Sequence, residues 1–457
     1  MKHFTKIVFL LFILWINGAR AQRDLTIHFL NKINQSNYSN PSFIPENNFS
    51  IGLPVLSAIS LDLSNSGFKV KDLYTKQPDG TLLVNMNNLI DNVLQKSNYL
   101  STEFTTDLLA VKFKVKGLYL GLNVTERISL RFAYPKDLIE LAWRGNGGFM
   151  DRKEAVNIGL NLDANHYREY GISGALKIKK FTVGARLKLL TGFANVTTEK
   201  SDITLLTNPD DYGHTVHSDF LINTSLPNSN FNPMTYATNF NNKGLGIDLG
   251  GTFQMNEKIS FAASVVDFGF INWKSDVKNY KSNANYNFDG VSFDQLSDST
   301  ARKAIVDTLK NRFAVKQTSN SYTTMLTPKI YLSGSFKLTK NDKFGMLFYS
   351  EYYHKLHPAL TLAYNRDFGR WFTGGLTYSM FNSDFFNIGV GTGFKLGPVQ
   401  IYIVQDNILG IFLPQSTNNY NFRFGINLVF GKPKETTPLP SIPGSEPTPK
   451  KITNENE

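Results

Sequence analysis

The chain of 457 residues has no cysteine. That excludes disulfides, thiol catalysis and a lipid anchor of the kind that needs a cysteine after its export signal. No apolar run approaches the roughly 18 residues that a membrane helix requires. The sequence also lacks H-E-x-x-H, G-x-S-x-G, P-loop and EF-hand spacings. It therefore predicts no enzyme, no cofactor and no bound metal. Tryptophan is scarce, with four residues, whereas Phe (36) and Tyr (20) are abundant.

What is present is alternation. Phe386, Ile388, Val390, Phe394 and Leu396 share one phase, and Asn387, Gly389, Gly391, Gly393 and Lys395 the other. Tyr420 to Phe430 repeats the pattern against Asn421, Arg423, Gly425 and Asn427. A strand sends alternate side chains to opposite faces. Many such strands in a row, behind an export signal, predict an apolar face wetted by lipid. The signal is a basic start (Lys2, Lys6), the apolar run Ile7 to Ile16 and the Ala19-Arg20-Ala21 site. Cleavage there starts the mature chain at Gln22 and takes the net charge from +11 to +8. An exported basic chain argues against nucleic acid as partner and for an anionic surface or solute.

The fold class read from this is all-β: a transmembrane antiparallel β-barrel of about 14 strands, range 12–16, in the bacterial outer membrane. The expected divisions are a signal peptide (1–21), a polar, extended N-terminal plug segment (22–50), the barrel (51–431) and a disordered proline-rich periplasmic tail (432–457). Strands are expected at 327–339, 342–353, 358–366, 370–381, 384–397, 398–408 and 420–431. Pro135 opens a short helix, and Ser297 to Phe313 has amphipathic helical spacing. Residues 200–243 read as looser and Asn-rich, strands lengthened into a loop.

Gly389-x-Gly391-x-Gly393 lies in a strand and predicts a crowded inward face, not a phosphate loop. His214 with His217, and His354 with His357, have i,i+3 spacing and read as solvated loop histidines. His166 to Glu169 reads as a strand-end cluster. Lys112, Lys114, Arg127, Arg131, Lys177, Arg186, Lys188, Lys337, Lys395 and Arg423 fall on the polar phase, with few acids beside Asp248 and Glu351. A lumen so lined would favour an anionic head group; the alternative is that these charges pair with loop acids and select nothing.

Gln35-Ser36-Asn37-Tyr38-Ser39-Asn40-Pro41-Ser42-Phe43-Ile44-Pro45, followed by Gly52-Leu53-Pro54 and Asn65-Ser66-Gly67-Phe68, resembles a family of exported Bacteroidota proteins carrying a domain of unknown function. The resemblance runs from about residue 24 to 431. Asn40-Pro41-Ser42 is similar to the N-P-A segment of long-chain fatty-acid transporters and of the type IX secretion shuttle barrel, with Ser in place of Ala and no glycine after it. The resemblance implies a fourteen-stranded barrel with an N-terminal plug threaded inside. Asn40, Pro41 and Phe43 become the expected plug and gate residues, because bracketing prolines fix a non-helical path. The expected function is transport of a small hydrophobic or amphipathic anionic solute. The rivals are a barrel that scaffolds or shuttles surface or secreted proteins, a soluble exported β-sandwich, and an acyl-transfer enzyme for which no Ser–His pair is evident.

Overall fold

The structure is a computed structural model that describes residues 24–227, 232–288, 313–353, 355–381 and 384–431. The expected signal peptide, nearly all of the expected helix at 297–313 and the proline-rich tail lie outside the described residues. Fourteen antiparallel strands close into one barrel. They are β1 (Phe49–Gly52 and, after a break, Ile59–Asn65), β2 (Ser97–Val115), β3 (Leu118–Pro135), β4 (Asn161–Ile178), β5 (Phe181–Thr207), β6 (Asn242–Gln254) and β7 (Ile259–Trp273). The second half comprises β8 (Lys329–Lys337), β9 (Asp342–Tyr353), β10 (Lys355–Phe368), β11 (Phe372–Phe381), β12 (Asp384–Leu396), β13 (Val399–Gln405) and β14 (Asn419–Phe430). Closure comes from β1 against β14, with Phe49 opposite Phe430 and Leu61 opposite Phe422.

Closure leaves the barrel wall without a free edge, so backbone groups are paired within the wall as lipid demands. One end carries short turns. At Lys116-Gly117 both residues have positive φ, 45° and 86°, the geometry that two-residue hairpins favour. The other end carries the long connections. This asymmetry places the short turns at the periplasm and the long loops outside. Within 200–243 the chain forms lengthened strands, as expected. Strand β5 runs 27 residues, and His214–Ser225 pairs with its outer end and with Val277–Phe288. The wall therefore rises well above the membrane on this side. The helix after Pro135 spans Lys136–Arg144, as expected.

Alternation sorts the two faces. Ile172, Leu187, Leu245 and Leu376 are more than half exposed and point outward. Their strand neighbours Ser173, Arg186 and Thr377 are buried inside. An apolar outer face on a closed barrel is the arrangement of an outer-membrane protein.

Candidate functional site

The lumen is filled by the chain's own N-terminal segment. Residues 24–48 are not extended. Two 3-10 turns, Ile27–Phe29 and Asn34–Tyr38, fold the segment into a compact body. It buries Leu25, Ile27, Phe29, Leu30 and Ile33. Each such side chain contributes about 1.5–3 kcal/mol when removed from water. Leu25 and Phe29 pack with Tyr331, Leu347 and Tyr349, while Ile27, Leu30 and Ile33 pack with Tyr402 and Val404.

The β12 glycines make room for this contact. A Cβ at Gly389 would strike Thr26, one at Gly391 would strike Leu30, and one at Gly393 would press on Ile33. The crowded inward face expected from Gly389, Gly391 and Gly393 is thus where the segment sits. Asn40 and Pro41 lie on the far wall, against Gly184 of β5 and Gly250 of β6. The Asn40 carboxamide accepts from the Ser42 N–H (2.9 Å) and hydroxyl (2.7 Å) and donates to the Ala263 carbonyl (3.3 Å). Phe43 packs edge-on against His28, with ring centroids 5.0 Å apart. Hydrogen bonds reach most sides of the barrel: the Thr26 N–H to Asp406 (2.7 Å), Gln35 to Asn427 (2.8 Å), Ser42 with Thr252 (2.7 Å), and Ser264 to the Ser39 carbonyl (2.6 Å).

The expected basic residues divide by height. Lys112, Arg127, Arg131, Arg186, Lys188 and Arg423 line the lumen. Lys114 and Lys395 are half-buried towards the periplasmic rim, where Lys177 and Lys337 are exposed. The expectation of few acids is overturned. Lys188 contacts Asp248 (2.7 Å), Asp267 (2.6 Å) and Glu169 (3.5 Å), and Arg186 contacts Asp248 (3.1 Å). Arg127 faces Glu169 (3.2 Å), Asp267 (3.6 Å) and Glu103 (3.9 Å). Arg131 pairs with Glu351. Arg423 spends its three nitrogens on Asp24 (3.0 Å), Asp62 (3.2 Å) and Asp406 (3.2 Å). Apart from Lys112, which donates to Asn34 and Asn37, these lumenal cations face acids, most of them from the wall itself.

A small cavity of about 60 Å³ lies beside the segment, against Asp24, Ile27, Gln35 and Tyr38, and another of about 40 Å³ in the wall shares Glu103, Arg127 and Lys329 with it. Each holds only a water or two. Among the described residues, no group of three or more His, Asp or Glu side chains could hold a metal ion.

The profile of the Family of unknown function (DUF5723) matches residues 41–406. The chain belongs to this family. No curated protein matches it in sequence. Among solved structures it is similar to the toluene transporter TodX of Pseudomonas putida, at 10% identity over 87% of this chain and 94% of that one, with a TM-score of 0.40. It is also similar to a Pseudomonas aeruginosa FadL homologue, at 11% identity over 87% and 94%, with a TM-score of 0.41.

Two histidine expectations change. His166 and Arg168 lie within β4, not at its end, and they bond Glu126 at 2.7 and 2.8 Å. Glu126 shares the outward phase of β3 with Leu122 and Ile128. This external ion cluster is covered by the helix Pro233–Ala237, whose Tyr236 hydroxyl donates to Glu126 at 2.5 Å. His214 and His217 lie in a strand, His357 is buried in β10, and His354 is outside the described residues. The lumenal residues that sequence reading missed include Leu25, Ile27, Phe29, Leu30, Ile33, Tyr38 and His28 of the segment and Glu169 and Asp267 of the wall. Alternation of Leu25, Ile27 and Phe29 was the available signal.

Proposed function

We propose that this barrel admits a small amphipathic solute across the outer membrane, and that residues 24–48 are its plug and gate. One observation carries the reading: the plug is seated mainly through neutral groups, and most wall charges it touches keep a wall partner when it leaves. Arg423 would lose Asp24 but keep Asp62 and Asp406. Asp107 would lose the Tyr38 hydroxyl (2.6 Å) but keep Thr125 (2.7 Å). Arg186 would lose Asn37 but keep Asp248. Lys112 is the exception, since it donates to Asn34 and Asn37. Leaving a buried charge unpaired is what makes such motions costly. A plug that strands few charges can move.

The balance of charge in the lumen supports a solute chosen for size and apolar body more than for an anionic head. The test uses the absence of cysteine. Ser42→Cys with Thr252→Cys joins plug to wall across a 2.7 Å hydroxyl contact. Proteoliposome swelling is read with benzoate and with benzyl alcohol as probes. The oxidised protein is expected to exclude both, and the reduced protein to admit both at similar rates. Equal entry in the oxidised and reduced states contradicts the gate. Exclusion of benzyl alcohol alone restores the anion-selective reading.

A docking role has one feature in its favour. The outer hairpin Tyr74–Lys76 and Leu82–Val84 exposes Leu82, Leu83 and Val84. A stoichiometric partner in a mild-detergent pull-down, lost on Leu83→Ser, would support it.

A further inference from the structure

We propose that His28 makes seating of the plug depend on pH: the neutral imidazole pins residues 24–48 to the wall, and protonation releases them. This rests on the reading that residues 24–48 are the gate.

His28 is the hinge between the two bodies. Its ring stacks on Tyr331 of β8, with centroids 5.5 Å apart and planes 4° from parallel. Nδ1 lies 2.9 Å from the Ser39 hydroxyl, inside the plug, and Nε2 lies 2.9 Å from the Ser333 hydroxyl, on the wall. The Ser39 hydroxyl donates to the Ser36 carbonyl at 2.8 Å, so its oxygen is left to accept from Nδ1–H. That assigns the proton to Nδ1, and Nε2 then accepts from Ser333. A second proton on the ring would turn Nε2 into a donor and force the Ser333 hydroxyl to reverse. Both ring partners are neutral hydroxyls, so neither compensates a cation.

The charged and titratable neighbours do not change this. From β9, Lys343 repels an imidazolium; from β8, Tyr331 is neutral. From the plug itself, Asp24 favours the cation, but its carboxylate is bound to Arg423 at 3.0 Å. Burial first, and Lys343 second, lower the His28 pKa from 6.5 to about 3.

The sign follows from linkage. The seated plug binds His28 neutral, and a released plug exposes it with an ordinary pKa. Seating is therefore at full strength above pH 6.5. It weakens as pH falls towards 3, by about tenfold per unit, because release takes up one proton. Between pH 7.5 and 4.5 the shift is roughly a hundredfold.

The experiment is hydrogen exchange of residues 24–48 in the full-length protein in detergent, corrected for intrinsic exchange, at pH 7.5 and 4.5, with swelling run in parallel. Wild type is expected to exchange about a hundredfold faster at pH 4.5. His28→Gln, which keeps hydrogen-bonding capacity without titrating, is expected to show no pH dependence. If His28→Gln does not fold, Lys343→Met serves: it makes the seated imidazolium less unfavourable, so its exchange should rise less at pH 4.5 than in wild type. A pH response identical in wild type and His28→Gln, or no response in wild type, overturns the proposal. Faster exchange without faster swelling leaves the His28 switch standing and rejects the gate.

Discussion

The two sides of the plug are held by different physics. On the side of β12 and β13 the contact is dry: Thr26, Leu30 and Ile33 sit over three glycines, Tyr402 and Val404. On the side of β2 to β7 the wall is ionic, and the plug offers it Asn34, Asn37 and Tyr38. Dry contact depends on shape, so it is lost when volume is added. The ionic wall depends on mutual pairing, so it is lost when one member is removed. The difference teaches that the plug's seat and the barrel's integrity can be disturbed separately.

The sharpest break of that separation is Asp248→Asn. Asp248 holds Arg186 and Lys188, and accepts from the Asp267 N–H at 2.7 Å. Removing one member of a buried ionic set costs about 3–5 kcal/mol. The heat-modifiable gel band should convert at a clearly lower temperature. Gly391→Leu should act on the other side alone. Its side chain meets Leu30 and Val404, a clash of about 1–3 kcal/mol. Faster exchange of residues 24–48, with the gel transition unchanged, is the expected outcome; equal loss of barrel stability would erase the distinction. The smallest effect is Tyr38→Phe, which deletes one hydrogen bond to Asp107 while Thr125 remains. The cost is about 1–2 kcal/mol. It should appear as a modest rise in plug exchange and nowhere else.

Much of the wall was legible in the sequence because period-two alternation survives wherever the ladder is regular. The expected strand 342–353 coincides with Asp342–Tyr353, and 384–397 with Asp384–Leu396. Parity counting fails where the ladder slips. Register shifts fall at His166/Tyr167 and at Ile247/Leu249, and Asp267 adopts φ 60°. Beyond such a bulge the inward phase changes. Asp267 was therefore not assigned to the lumen; Glu169 keeps the inward phase of Ser173 but was grouped with the His166 cluster, and the lumen looked basic. The N-terminal segment was misjudged for another reason. Its asparagines suggest solvent, yet Asn34, Asn37 and Asn40 are buried and several of their groups bond within the lumen. A polar segment inside a polar barrel has the composition of a loop.

The central claim is that residues 24–48 occlude an otherwise continuous lumen. Single-molecule conductance in planar bilayers tests it most directly, comparing the whole barrel with one lacking residues 24–44 that still shows heat-modifiable migration. The intact barrel should stay closed, and the shortened one should give discrete steps with nearly equal permeability to small cations and anions. Identical conductance in the two proteins would contradict the account.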